Sequence, residues 1–215
     1  MQPPVYGLEP ARFLRSIDAS RGSLGKAPTR LIDVVEHVGA LTDGSPYAIV
    51  GGLAQILWAR KTHTDDLDVA LAAQGLTRAA DRVRRRSAGR GWRVPRPPDR
   101  LHEEDDVFEV YHLLFRGTVV DLLSFKDQAF TEEILTTARI VPELSGCRFI
   151  APELLLITHL LRPGPLAALA AVELVLARGA LGGLDLEYAE KWAARLGRTE
   201  ALRRTLVRAE ELGKG

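Results

Sequence analysis

A single cysteine, Cys147, in 215 residues leaves no partner for an internal disulfide and fits a reducing compartment. No apolar stretch approaches the roughly 20 residues that a bilayer crossing needs. The best candidate, Leu166 to Ala177, is too short and carries Glu173. The first ten residues have no basic region followed by an apolar run, so no secretory signal is expected; a cytoplasmic location without a membrane partner is the corresponding expectation. Charge of one sign is also lacking: 29 Lys and Arg stand against 28 Asp and Glu, a formal net charge of +1. No global field therefore calls for nucleic acid or a membrane surface. Internal repeats and low-complexity tracts are absent. There is no Gly-x-Ser-x-Gly elbow, and the lone cysteine has no recognisable catalytic partner, so nucleophilic hydrolase chemistry has no footing. Gly51-Gly52 is not followed by Gly-Lys-Ser/Thr, which excludes a Walker A phosphate loop.

What is present is concentrated between Tyr47 and Leu71. A short apolar strand ends at Val50; Gly51-Gly52 opens a helix; a second strand then carries Asp66 and Asp68. Side chains alternate faces along a strand, so Asp66 and Asp68 point one way while Leu67 points into the core. Asp65 faces away from the pair and is the weaker candidate. Asp121 lies in a later apolar run, between Val119-Val120 and Leu122-Leu123. A buried carboxylate without a partner is costly, and a metal ion supplies one. Aspartate is itself disfavoured in strands, which makes three of them in apolar runs informative. If the strands are neighbours, the three carboxylates form a set of hard oxygen ligands. Magnesium accepts such ligands and shares itself with substrate phosphates. Two such ions can clamp an in-line phosphoryl displacement. Glycines let the backbone approach a phosphate, and a helix start favours an anion.

Gly51, Gly52, Ala54, Asp66, Leu67 and Asp68, with Val-Val-Asp121-Leu further on, resemble the pattern of the nucleotidyltransferase superfamily related to DNA polymerase beta. The closer resemblance is to its minimal bacterial branch, which includes the AbiEii-type toxins of toxin–antitoxin systems. Thr64 fits that pattern; Arg60 stands two positions early, with Thr62 in the expected place. The stretch Phe149 to Leu161 resembles the segment after the catalytic domain in that family, with His159 where a lysine is usual. The resemblance implies an α/β (α+β) fold: a mixed β-sheet core flanked by helices, with an α-helical C-terminal region after it. It implies transfer of a nucleoside monophosphate from a nucleoside triphosphate to an acceptor hydroxyl. Asp66, Asp68 and Asp121 would be catalytic and hold two Mg2+ ions, with Mn2+ able to serve. Gly51 and Gly52 would bind the nucleotide. The acceptor implied is tRNA or another RNA, and the partner a cognate antitoxin or toxin protein. The alternative is an antitoxin-type or degenerate module of the same fold that modifies or binds a partner protein.

Around this centre, the spacing predicts a short helix over Pro10 to Asp18, a linker over 20–27, and an amphipathic helix from Pro28 to near Asp43-Gly44. Further helices are expected at 52–60, 76–88, 152–161, 165–178, 186–196 and 199–212. Strands are expected at 47–50, 66–71, 107–115, 118–124, 139–141 and 148–150, with Arg116-Gly117 turning one into the next, and 89–100 as loop. The pattern shifts near 151, dividing a catalytic domain, 1–150, from a helical C-terminal domain, 151–215. Lys126, just past the Asp121 strand, is a candidate nucleotide-binding cation or an ordinary surface lysine. Arg60, Lys61 and His63 are candidates for phosphate or acceptor contact, or solvated loop residues. Arg82, Arg84, Arg85, Arg86, Arg90, Arg93, Arg96 and Arg100, with Trp92 among them, suit a nucleic-acid backbone and a stacked base. The same arginines read more simply as a solvated helix face, and the acidic run Glu103 to Asp106 that follows can cancel their charge. His159, in an apolar helix, is expected in the core or at an interface rather than as a ligand, and Cys147 to be inert.

Overall fold

The amphipathic helix predicted to begin near Pro28 is α1, Leu31–Thr42, which buries Val34, Val35, Val38 and Leu41 at helical spacing. The computed structural model describes residues 31–59, 64, 66–85, 91–95, 101–142, 146–162, 164–179 and 183–214. The expected helix over Pro10–Asp18 and the linker after it lie outside those residues, as do Arg60, Lys61, His63, Asp65, Arg86, Arg90, Arg96 and Arg100.

After α1 come β1 (Tyr47–Ile49), α2 (Gly51–Trp58), β2 (Asp66–Leu71) and α3 (Ala73–Arg84). Next are β3 (Trp92–Arg93), β4 (His102–Glu104), β5 (Phe108–Phe115), β6 (Thr118–Phe125), α4 (Gln128–Thr137), β7 (Arg139–Val141) and β8 (Cys147–Phe149). The chain closes with α5 (Pro152–Leu161), α6 (Pro165–Gly179), α7 (Leu186–Arg195) and α8 (Thr199–Gly213). The architecture is a mixed α/β sheet flanked by helices, with further helices at the C-terminal end, as the sequence pattern predicts. The change from sheet to helices falls at Ala151, while one hydrophobic core runs through residues on both sides of it, from Val34 to Leu202. No helix among the described residues is long and apolar enough to cross a membrane.

Three elements differ from expectation. Helix α4 is one that is not among the expected elements. Asp127 caps it by accepting the N–H of Phe130 at 2.9 Å, and Phe130, Thr131, Ile134 and Leu135 form its buried stripe. Two short strands are the others: β3 lies in a region expected to be loop, and β4 takes in part of an acidic run. Both are edge pieces held by pairing with β5, a long-range contact that two or three residues do not announce locally.

The sheet runs β3-β5-β6-β2-β1-β8-β7, with β4 also on β5. β5 and β6 form the predicted hairpin. Arg116 (φ 49°) and Gly117 (φ 94°) turn it with positive φ at both positions, the conformation a two-residue hairpin turn needs. β6 lies parallel to β2, and the register places Asp68 opposite Asp121. Alternation then sorts the sheet into two faces. Asp66, Asp68, Phe108, His112, Asp121 and Phe125 share one. Tyr111 and Phe115 are on the reverse, covered by α1 and α3: His37 packs on Phe115 at 4.7 Å between ring centroids, and the Arg84 guanidinium lies 5.3 Å from the Tyr111 ring. α4 and α7 cover the end of the carboxylate face, where Phe125, Phe130 and Trp192 pack in series at 5.1 and 5.2 Å.

Candidate active site

The ligand oxygens of Asp66, Asp68 and Asp121 all lie within 4.8 Å of one another. The period-two spacing puts the first two on one face, and the parallel β2–β6 register brings in the third. Asp68 is the buried member, only 5% exposed. Burial pushes its carboxyl up to about 7, the negative charge of Asp66 adds to the push, and Arg162 opposes it. Asp121 is also raised, first by burial, with the hydrogen bond from His112 pulling the other way. Like charges crowded out of water at this distance ask for a cation. The donor set, three carboxylates with no sulfur or nitrogen among them, suits Mg2+ or Mn2+, so the three residues can hold a metal ion.

Each carboxylate is held by a different neighbour. Thr64 Oγ1 donates to Asp66 Oδ1 at 2.9 Å. The Gly52 N–H donates to Asp68 Oδ2 at 3.3 Å, so Asp68 satisfies one of the amides that the first turn of α2 leaves without an intrahelical partner. His112 Nδ1 lies 2.9 Å from Asp121 Oδ1. Gly51 has φ 59°, and a Cβ there would stand 1.8 Å from Asp68 Oδ2; only glycine fits between helix start and carboxylate.

Two residues at the site have no counterpart among the sequence candidates. Arg162, in the α5–α6 connection, acts electrostatically on both Asp68 and Asp121, and its guanidinium lies 5.2 Å from the Phe108 ring on the carboxylate face. No local motif flags it, because only the packing of α5 against α2 and the C-terminal helices carries it there. His112 is inconspicuous within an apolar strand, although counting outwards from the Arg116-Gly117 turn places it opposite Asp121.

Other expected residues are elsewhere. Lys126 pairs with Glu104, and the five-residue step from Asp121 sets it at the far end of β6 and on the opposite side of the sheet. The structure therefore does not bring it to the carboxylates. Trp92 is not available for base stacking: it is buried against Phe115, with ring centroids 4.8 Å apart, because β3 pairs with β5 and turns the ring inward. Among the arginines, Arg84 bonds Asp81 at 3.3 Å and stacks on Tyr111, across the sheet from the carboxylates, and Arg82 meets Asp43 at 3.0 Å. His159 is an interface residue, as expected, with Nε2 2.9 Å from Gln55 Oε1; Gln55 Nε2 in turn donates to the Ala170 carbonyl at 2.9 Å. Cys147 is buried in the core.

No protein-family model matches the sequence, and a search of curated proteins gives no match. Among solved structures the chain is similar to the crystal structure of ANT(2")-Ia in complex with adenylyl-2"-tobramycin, at 17% identity and a TM-score of 0.47. The similarity covers 82% of this chain and 98% of that one. A likeness this distant carries no functional argument, and function has to be read from the site itself.

Proposed function

We propose that the protein is a metal-dependent nucleotidyltransferase that moves a nucleoside monophosphate from a nucleoside triphosphate to an acceptor hydroxyl and releases pyrophosphate. The observation that carries this reading is the convergence of Asp66, Asp68 and Asp121 from parallel neighbouring strands beside the Gly51-Gly52 helix start.

Asp66 and Asp68 would hold divalent ions, Mg2+ or Mn2+, with Asp121 completing the set on the acceptor side. When bound, such ions neutralise phosphate charge and make the acceptor hydroxyl more acidic. The rest falls to the chain's own residues. Gly51 and Gly52 let the triphosphate lie against the helix start, where the dipole favours its charge. Arg162 faces the same carboxylates and holds the phosphates from the helical side. The acceptor oxygen bonds to the α-phosphorus as the bond to the pyrophosphate oxygen breaks, and Asp121 receives the hydroxyl proton. In this reading residues 1–150 form the catalytic half, and the helical half, 151–215, contributes Arg162.

The expected tRNA acceptor gains no support from the described part of the arginine run: Arg84 lies across the sheet from the carboxylates and Trp92 is buried. The acceptor is therefore left at the level of a hydroxyl compound. Convergence of all three aspartates favours catalysis over a degenerate binding module.

A thermal-shift titration tests the reading. Magnesium and a triphosphate should stabilise the protein together by more than the two effects added, because carboxylates and phosphates share the ion. Additive or absent shifts with all four common triphosphates would refute it.

A further inference from the structure

We infer that His112 is a positioning residue for Asp121: it fixes one carboxylate oxygen so that the other is presented to the metal ion and the acceptor. This role rests on the proposed nucleotidyl transfer and extends it to a residue outside the carboxylate set.

The placement comes from the hairpin. His112 and Asp121 are directly opposite in the antiparallel β5–β6 pair. The His112 N–H is donated to the Leu101 carbonyl at 2.8 Å, away from β6, so the pair is a non-hydrogen-bonded one, in which opposing side chains come closest. Nδ1 stands 2.9 Å from Asp121 Oδ1. An ionised carboxylate only accepts, so Nδ1 carries the proton and donates it to the hydrogen bond. Nε2 is buried without a hydrogen-bond partner among the described residues, 3.6 Å from Glu103 Oε1 on β4. Asp121 is thus the hydrogen-bond partner of the imidazole, whose side chain is 26% exposed. Asp121 is held by this imidazole, whereas Asp66 is held by a hydroxyl and Asp68 by a backbone amide. Groups that orient metal-binding carboxylates in this manner change metal affinity or activity by roughly 10–100-fold when removed.

The test uses Mn2+ as the probe, with its binding followed by electron paramagnetic resonance in the presence of ATP. An Asn amide nitrogen reaches about where Nδ1 does, whereas a Gln amide reaches towards Nε2. H112N should retain wild-type Mn2+ affinity within about threefold, while H112Q and H112A lose about tenfold. The order Asn above Gln separates positioning from simple space filling, and the Asn–Gln pair keeps the test valid if the alanine variant folds poorly. Equal affinities for H112N and H112Q, whether both retained or both lost, would overturn the role of His112 while leaving the proposed nucleotidyl transfer in place. Failure of the wild-type protein to bind Mn2+ with ATP would overturn both.

Discussion

Gly51 and Asp68 are packed so closely that a single methyl group on the glycine would stand 1.8 Å from the carboxylate oxygen Oδ2. The glycine also holds a φ of 59°, in the left-handed region. The helix start and the buried carboxylate are therefore one unit: the backbone can turn there only without a side chain, and the turn delivers the Gly52 N–H to Asp68.

Gly51→Ala should accordingly lose both stability and metal binding. The strained φ and the clash together are expected to cost about 2–4 kcal/mol, read by chemical denaturation. The cooperative shift with magnesium and ATP should disappear. Wild-type stability in this variant would mean that the contact between Gly51 and Asp68 is looser than the structure has it.

Asp68→Asn should stabilise the metal-free protein at neutral pH while abolishing transfer. Burial and the charge of Asp66 raise the Asp68 carboxyl from 3.8 to about 7, so the fold binds its proton more tightly than the unfolded chain does. The corresponding stability is fully present below about pH 3.8 and is lost as the pH rises through about 7. Asp121, raised in the same direction, adds to the slope. Metal-free wild type should thus become less stable between pH 4 and 7 than the Asn variant, which should gain roughly 1–3 kcal/mol at pH 7.5. Saturating magnesium and triphosphate should reverse the wild-type trend, because the ligands bind the ionised form. Parallel stability curves for the two metal-free proteins would count against a raised Asp68.

Arg162→Ala should weaken triphosphate binding about tenfold in the presence of magnesium, the scale of a lost charge-assisted contact. Arg162→Lys should recover part of that loss by keeping the charge. Isothermal titration with a non-hydrolysable triphosphate gives the comparison. Unchanged affinity in the alanine variant would remove Arg162 from the site.

Much of this site is legible in the chain, and the reasons are local. Asp66 and Asp68 share a face because strands have a period of two, and the Gly51-Gly52 pair marks a helix start that needs no side chain. Asp121 stands out because a carboxylate in an apolar run needs a partner. Features set by packing between distant segments are not legible in this way. Arg162 reaches the site through the docking of α5, far along the chain from Asp68, and nothing around it in the sequence announces that contact. The turn at Arg116-Gly117 does hold enough information to pair His112 with Asp121 when the register is counted from it. Helix α4 has its own signals too, in the Asp127 cap and the spacing of Phe130, Ile134 and Leu135. Trp92 is harder, because exposure on a two-residue edge strand is decided by what lies beneath it, here Phe115.

The most direct test of the central claim tracks the α-phosphate. Wild-type protein is incubated with magnesium, a cell lysate as the source of acceptors, and each triphosphate labelled in turn at the α or the γ position. The account predicts that α-label enters an acceptor and γ-label is released in pyrophosphate, with both events lost in Asp66→Asn and Asp68→Asn. Transfer of γ-label to the acceptor, or retention of α-label in every triphosphate by a protein that still binds magnesium and nucleotide together, would contradict it.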